Sequence, residues 1–146
     1  MKKEQLIFIL ESYFKEKSIN YNINLVFLYG SYARGYPKEE SDVDLAIYFW
    51  PETSSDDVIF KNITDISFVL SEKINKDINI IPLYSDFRKP MLYYNAIVLG
   101  SPIYIKNFNQ YVYLKNQAIV QMEDFSIFGT KWQLEIIGKN LEALHG

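Results

Sequence analysis

The sequence predicts one α/β domain in which helices pack on a small mixed β-sheet, an α+β arrangement. Short apolar runs rich in isoleucine, leucine and valine alternate with longer segments whose apolar residues recur at helical spacing. The 146 residues are enough to bury one sizeable core. No internal repeat, low-complexity tract or interdomain linker is visible. We therefore expect a single domain over residues 1–146, with a C-terminal helical extension at about 108–144.

The N-terminal half combines both periodicities. Apolar residues at helical spacing indicate an amphipathic helix over 3–17 and a second one over 58–75. Continuous apolar runs indicate one strand over 24–29 and another over 42–50. A short helical turn is expected at 31–35, directly after the first strand.

The C-terminal half begins with an isoleucine-rich strand, which we expect over 77–84. A helix should follow over 85–99, with Gly100 as its stop. A short last strand is expected over 102–105. The helical pattern of 108–144 then completes the chain.

Composition and charge exclude several classes of protein. A net charge of −3 argues against a dedicated nucleic-acid binder, which usually carries a basic face. No apolar run is long enough to span a bilayer, and the acidic residues of the first helix distinguish it from a signal peptide. The absence of cysteine excludes disulfides and thiolate metal sites. We therefore expect a cytoplasmic protein without membrane contact.

Two aspartates open the second predicted strand, Asp42 and Asp44. Side chains alternate along a strand, so these carboxylates point the same way, with attachment points roughly 7 Å apart. Two parallel carboxylates repel each other unless a cation lies between them. Mg²⁺ and similar hard cations prefer oxygen ligands and are commonly held by one or two carboxylates together with substrate phosphates. Asp42 and Asp44 are thus candidate ligands of Mg²⁺ or Mn²⁺.

A Gly-Ser pair closes the first predicted strand and supplies a second candidate element. Gly30 has no Cβ, so a phosphate can approach its backbone closely. Ser31 begins the helical turn, where backbone N–H groups and a hydroxyl suit an anion. Arg34, on the same turn, is a candidate nucleotide-binding residue. It could contact a phosphate or steady the aspartate strand through a hydrogen bond.

Neither element is specific by itself. A Gly-Ser pair is an ordinary turn, and Asp-x-Asp is common at solvated strand edges and helix caps. Their combination at this spacing, each on its own apolar strand, favours a functional interpretation. The segments Gly30-Ser-Tyr-Ala-Arg-Gly35 and Ser41-Asp-Val-Asp-Leu45 resemble the signature of the polymerase β-like nucleotidyltransferase superfamily.

The short chain is most similar to the minimal nucleotidyltransferases of that superfamily. The resemblance implies a Mg²⁺-dependent enzyme that binds a nucleoside triphosphate, with ATP as the expected substrate. It also implies an antitoxin role, because minimal nucleotidyltransferases are often paired with a HEPN-type ribonuclease toxin. Some members transfer AMP from ATP to a tyrosine of that toxin.

The resemblance also implies a third carboxylate on a neighbouring strand, and here the sequence departs from the pattern. Asn79 occupies the expected position, within Ile78-Asn-Ile-Ile81. Asp77 lies two residues earlier, on the same predicted strand face. Either Asp77 serves as the third catalytic carboxylate, or the site lacks one. This departure puts catalytic activity in question more than nucleotide binding.

Two alternatives to an AMP-transferring antitoxin therefore stay open. The first is a catalytically degenerate nucleotide-binding antitoxin that acts by occluding its partner. The second is a small-molecule nucleotidyltransferase of the aminoglycoside type, which the lack of a second domain disfavours. For a protein partner, the expected docking residues are Tyr111, Tyr113, Trp132 and Ile136. The aromatic content of 16% is compatible with such a surface and also with core packing.

Overall fold

The computed structural model describes residues 1–34, 42–50, 55–86 and 89–124. Helices and strands alternate along them. Their bounds are α1 (Lys3–Lys17), β1 (Ile23–Tyr29), α2 (Ser31–Arg34), β2 (Val43–Phe49), α3 (Asp56–Ile74), β3 (Ile78–Leu83), α4 (Pro90–Tyr93), β4 (Ser101–Ile105) and α5 (108–124). A 3₁₀ turn at Ile19–Tyr21 joins α1 to β1, and a π-helical turn at Tyr94–Val98 continues α4.

The strands form one four-stranded mixed sheet in the order β3-β2-β1-β4. β1 pairs antiparallel with both β2 and β4, whereas β2 and β3 are parallel. The parallel pair needs a crossover connection, which α3 supplies. The predicted α+β class, with helices on a small mixed sheet, is confirmed.

Helices cover both faces of the sheet. On one face, α1 and α3 pack against alternate residues of the central strands, among them Val43, Leu45 and Ile47. On the other face, α4, its π-helical continuation and α5 pack against residues such as Ala46 and Tyr48. Because side chains alternate along β2, Asp44 belongs to the second face.

α3 begins two residues earlier than the apolar periodicity predicts. The hydroxyl of Ser55 accepts a hydrogen bond from the backbone N–H of Val58 at 3.3 Å, which makes Ser55 the N-cap. Asp56 and Asp57 then occupy the first turn, where negative charge interacts favourably with the helix dipole. The capping residues are polar, so the spacing of apolar residues alone does not predict where the helix begins.

The helix expected over 85–99 is shorter than predicted. Ser85 and Asp86 lie in a turn, and α4 starts only at Pro90. The ring of a proline disfavours helical backbone at the residue before it, and Lys89 indeed adopts φ −130° and ψ 80°. The predicted stop is correct, because Leu99 ends the π-helical turn just before Gly100.

Residues 108–124 of the C-terminal segment are helical. The rest of that segment to 144, with the predicted docking residues Trp132 and Ile136, lies outside the described residues. The ring of Tyr111 stacks on Phe27 of β1, with centroids 5.8 Å apart and planes inclined by 26°. Tyr111 therefore helps to attach α5 to the sheet, whereas the side chain of Tyr113 is 56% exposed. None of the described helices combines the length and apolarity needed to cross a membrane.

Candidate active site

The antiparallel pairing of β1 and β2 brings the two sequence elements together. Tyr29, the last residue of β1, pairs with Asp44 near the start of β2. Gly30 and Ser31 follow Tyr29 directly, so they lie beside the aspartates. Residues 35–41, which connect the two elements along the chain, lie outside the described part.

Gly30 is required at its position for two reasons. Its φ of 77° falls in the left-handed region, which side chains other than glycine rarely adopt. A Cβ placed on Gly30 would also collide with the Asp44 carboxylate. The backbone of Gly30 therefore runs directly against one of the two candidate metal ligands. This close approach is the structural basis of the Gly-Ser element.

The short helix α2 is fixed to the rest of the fold at two points. The side chain of Tyr32 is only 2% exposed and belongs to the core on the α1 side of the sheet. The ammonium of Lys3 donates a hydrogen bond to the carbonyl oxygen of Ala33 at 3.0 Å. Ser31, at the start of α2, stays partly exposed. Arg34 ends α2, and the two predicted roles of its side chain fall outside the described part of the structure.

Asp42 and Asp44 face a common space, and the amide of Asn79 reaches both of them. The Nδ2 of Asn79 donates to Oδ2 of Asp42 at 3.1 Å and to Oδ1 of Asp44 at 3.4 Å. This contact follows from the parallel register, in which Asp44 of β2 pairs with Asn79 of β3. Asn79 is thus the β3 residue whose side chain is hydrogen-bonded to both aspartates.

The environment of Asp44 disfavours its negative charge. Burial raises the pKa of the Asp44 carboxyl, the hydrogen bond from Asn79 lowers it, and the charge of Asp42 raises it again. Burial also raises the pKa of Tyr29, with a further contribution from Asp44. A cation bound between the two carboxylates would relieve both the burial cost and the repulsion.

Asp77 lies just before β3 and is exposed. Its carbonyl oxygen accepts a hydrogen bond from the N–H of Val43 at 2.9 Å. Asp77 precedes Ile78 just as Asp42 precedes Val43, and these two strand residues are paired. Asp77 and Asp42 thus occupy equivalent positions at the start of neighbouring strands. Within the described ranges, however, no three or more acidic, histidine or cysteine residues form a group that could hold a metal ion.

The donor set at the site fits a hard divalent cation such as Mg²⁺ or Mn²⁺. Asp42 and Asp44 provide carboxylate oxygens that already converge on one hydrogen-bond donor. Such a cation typically completes its coordination with substrate phosphates and water. The backbone of Gly30 lies against Asp44 and so borders the same site.

A cavity further along β3 was not predicted from the sequence. It has a volume of about 230 Å³ and is lined by Ile81, Pro82, Tyr84, Lys89, Leu92 and Tyr93. The hydroxyl of Tyr93 accepts a hydrogen bond from the backbone N–H of Tyr84 at 3.0 Å, which ties α4 to the end of β3. The cavity depends on how α4 docks, and no local sequence pattern encodes that. Its volume is below the roughly 300–1,000 Å³ that is typical of small-molecule sites.

The family model described as polymerase beta, nucleotidyltransferase matches residues 9–109. The chain belongs to this nucleotidyltransferase family. The matched range begins within α1, contains all four strands and includes the Gly30, Asp42 and Asp44 positions. The resemblance inferred from the two sequence segments is thereby confirmed.

A relative of this nucleotidyltransferase in Methanocaldococcus jannaschii is named as a candidate protein adenylyltransferase. The two proteins are 43% identical over 42 residues, which are 29% of this chain and 49% of the relative. The matched segment thus spans about half the length of that relative.

Solved structures share the fold of this nucleotidyltransferase over most of its length. A chain of a toxin–antitoxin complex with AMP-PNP gives a TM-score of 0.66 at 15% identity and covers 87% of this chain and 98% of that one. A chain from the complex of a tri-AMPylated Shewanella oneidensis HEPN toxin with an MNT antitoxin gives a TM-score of 0.63 at 13% identity. The match covers 90% of this chain and 98% of that one. A chain of the MntA–HepT complex gives a TM-score of 0.62 at 12% identity, and the match covers 88% of this chain and 97% of that one. At these identities the likeness establishes the fold.

Proposed function

We propose that this nucleotidyltransferase transfers AMP from ATP to a hydroxyl group of a HEPN-type toxin and so acts as its antitoxin. The observation that carries the proposal is the convergence of Gly30, Asp42 and Asp44 at the paired ends of β1 and β2. Two carboxylates that can hold a divalent cation, beside a glycine without a side chain, are the arrangement that a metal–triphosphate complex needs.

Each residue of the site has a distinct proposed role. The backbone of Gly30 and the hydroxyl of Ser31 hold the terminal phosphates of ATP. Asp42 and Asp44 are the ligands of Mg²⁺ or Mn²⁺. When bound, such a cation supplies positive charge that orients the triphosphate and offsets the negative charge that builds up during transfer. The side chain of Arg34 is a further candidate for contact with a phosphate.

In the proposed reaction, the acceptor oxygen forms a bond to the α-phosphorus while the bond to the β-phosphate breaks. Pyrophosphate leaves, and the acceptor hydroxyl gives up its proton. The side chain of Asn79 cannot accept that proton, because neither the oxygen nor the nitrogen of an amide is basic. Asp77 is therefore the proposed base, at the start of β3 and outside the pair of metal ligands.

Comparison with solved complexes supports a toxin as the acceptor. One neighbour of the same fold is part of a complex that contains a tri-AMPylated HEPN toxin. Another comes from a toxin–antitoxin complex with AMP-PNP, an analogue of ATP. The relative from Methanocaldococcus jannaschii, a candidate protein adenylyltransferase, points to a protein acceptor as well. We propose a tyrosine of the toxin as the modified residue.

The test is a transfer reaction with α-labelled ATP, MgCl₂ and the product of the neighbouring gene, which we expect to be a HEPN-type toxin. The expected result is label in the toxin and a mass gain of one or more AMP units. Asp42→Asn and Asp44→Asn should each abolish labelling and the stabilisation of the protein by Mg·ATP. Unchanged stabilisation by Mg·ATP in both variants would overturn the assignment of the metal ligands. Label in a small molecule and none in protein would overturn the toxin as acceptor.

One observation favours a second candidate function, a binding antitoxin without catalysis. Asn79 fills the position of the third carboxylate and is hydrogen-bonded to the other two. Such a protein would still bind nucleotide and would silence its partner by covering it. Rescue of toxin-expressing cells by Asp42→Asn, with no AMP on the toxin, would identify this case.

A further inference from the structure

The Asn79 side chain lies where its amide protons face both acidic side chains. An amide nitrogen carries two hydrogens, and the 3.1 Å and 3.4 Å contacts use one for each carboxylate. The opposite orientation would place the amide oxygen against two negative groups. The electrostatics of the site therefore determines which end of the amide faces Asp42 and Asp44.

This contact stabilises the carboxylate pair in the absence of a cation. Asp42 and Asp44 place two negative groups at one site, and the amide of Asn79 donates a hydrogen bond to each of them. The amide partly neutralises the space between the carboxylates without adding charge. Hydrogen bonds to charged groups are stronger than those between neutral groups.

The same contact opposes a bare cation. A divalent cation needs oxygen atoms around it, and here the amide presents N–H groups to the carboxylates that would bind it. To admit the cation, Asn79 must give up both hydrogen bonds and either turn its oxygen inward or swing away. An aspartate at this position would present oxygen in every orientation, at the cost of repulsion among three carboxylates.

We propose that Asn79 is a positioning residue that holds Asp42 and Asp44 together in the cation-free protein and competes with free divalent cations for them. The site then takes up its cation efficiently only together with a triphosphate, whose oxygens replace the lost hydrogen-bonding energy. This inference rests on the proposed function only in taking Asp42 and Asp44 as the metal ligands.

The experiment measures cation binding without any transfer reaction. The melting temperature of the full chain is followed in chelator and during a titration with MnCl₂ alone. Asn79→Ala removes the two donors, and Asn79→Asp replaces them with a third carboxylate. Asn62→Asp is the matched control, since it makes the same substitution on α3, across the sheet from the site. The wild-type titration is repeated with ATP present.

We expect both Asn79 variants to melt below the wild type in chelator and to bind Mn²⁺ more tightly. The gain should be roughly ten-fold or more for Asn79→Asp, the size typical of outer-shell effects on metal sites, and smaller for Asn79→Ala. Adding ATP should lower the Mn²⁺ concentration that stabilises the wild type. Asn62→Asp should leave the Mn²⁺ affinity unchanged.

The inference is overturned if Asn79→Ala binds Mn²⁺ no better than the wild type, even when Asn79→Asp does. That result would mean that the number of oxygen ligands matters and that the amide does not compete. Failure of the proposed function looks different, because AMP transfer to the toxin would then be absent whether or not Mn²⁺ with ATP stabilises the wild type. If Asn79→Ala binds Mn²⁺ more tightly than the wild type does, the inference is supported even when the protein has no transferase activity.

Discussion

At the scale of single residues, Gly30 decides whether the two halves of the site can meet. Its left-handed backbone and its contact with Asp44 both exclude a Cβ. We expect Gly30→Ala to lower the free energy of unfolding by about 1–2 kcal/mol from backbone strain, with an added cost from displacing Asp44. Stabilisation by Mg·ATP should be lost as well. Urea unfolding with and without Mg·ATP measures both effects.

The neighbouring residue provides the control for Gly30. Ser31→Ala removes only a hydroxyl from a partly exposed side chain, so the stability without nucleotide should stay near the wild-type value. The affinity for Mg·ATP should fall, because one donor to the phosphates is gone. If Gly30→Ala unfolds with the wild-type free energy and is stabilised by Mg·ATP as the wild type is, the close approach of Gly30 to Asp44 is not needed for stability or nucleotide binding.

Asp77 is the residue whose role most directly separates an enzyme from a binding protein. As the proposed base, it acts on the acceptor hydroxyl and not on ATP. Asp77→Asn should therefore lower AMP transfer about 10²–10⁴-fold, the usual contribution of a general base, while the affinity for Mg·ATP stays unchanged. Single-turnover transfer and nucleotide titration measure the two quantities on the same sample.

Asn79→Asp completes that comparison. If Asp77 is the base, a carboxylate at position 79 should leave transfer unchanged or reduce it slightly. If Asp77→Asn transfers AMP at the wild-type rate while Asn79→Asp increases transfer, the site of the natural protein lacks its third carboxylate. The assignment of Asp77 would then be wrong, and the binding-antitoxin function would gain support.

At the scale of secondary-structure elements, α1 contains a tyrosine that couples folding to alkaline pH. Burial raises the pKa of Tyr13 from 10.0 to about 12, with smaller contributions from Tyr21 and Asp65. Because the pKa of Tyr13 is higher in the folded state, the neutral phenol contributes its full stabilisation of the fold below pH 10. That contribution is lost as the pH rises through 12.

Tyr13→Phe tests this coupling. The variant should be somewhat less stable than the wild type at pH 8, because it lacks the side-chain hydrogen bond with Tyr21. Between pH 10 and 12, however, the wild type should lose more stability than Tyr13→Phe does. Tyr113→Phe, at an exposed position of α5, is the control. Parallel stability curves for the wild type and Tyr13→Phe across this range would contradict the assignment to Tyr13.

The bounds of the strands were predicted to within one residue at each end, because continuous apolar runs mark buried strands directly. Helix starts were less predictable, since Ser55 and Pro90 act through capping and backbone restriction and not through the apolar period. Tyr111 illustrates a third kind of limit. An aromatic residue on a helix reads equally as an interface anchor or as core, and only the docking of α5 shows that its ring stacks on Phe27.

At the scale of the whole molecule, strand order determines which polar groups meet. The Gly-Ser and Asp-x-Asp elements could be joined from the sequence, because the family resemblance includes both elements and their spacing. The contact of Asn79 with both aspartates could not be predicted from local patterns. It requires α3 to carry the chain across and set β3 parallel to β2 in one particular register. A shift of that register by one residue would turn Asn79 to the opposite face.

The architecture also limits where a protein acceptor can dock. Asp44 lies on the sheet face covered by α4 and α5. Ala46 and Tyr48, which point to the same side of β2 as Asp44, pack against these helices. On α5, the side chains of Phe108 and Tyr113 are 66% and 56% exposed. On α3, across the sheet, Phe60 and Phe68 are 72% and 64% exposed. Both surfaces offer aromatic anchors, but only the α5 surface shares a face with the site.

A toxin whose tyrosine must reach Asp42 and Asp44 should therefore contact α5. We expect Phe108→Asp and Tyr113→Asp to weaken capture of the proposed HEPN-type toxin at least ten-fold, as losing an interface anchor usually does, and to abolish growth rescue. Stabilisation by Mg·ATP should persist, because neither residue belongs to the nucleotide site. Phe60→Asp and Phe68→Asp are matched controls that should keep capture, transfer and rescue. The opposite pattern, with loss in the α3 variants and full binding in the α5 variants, would put the partner on the face away from the carboxylates. A partner bound there could be silenced only by occlusion, and AMP transfer within the same complex would be excluded.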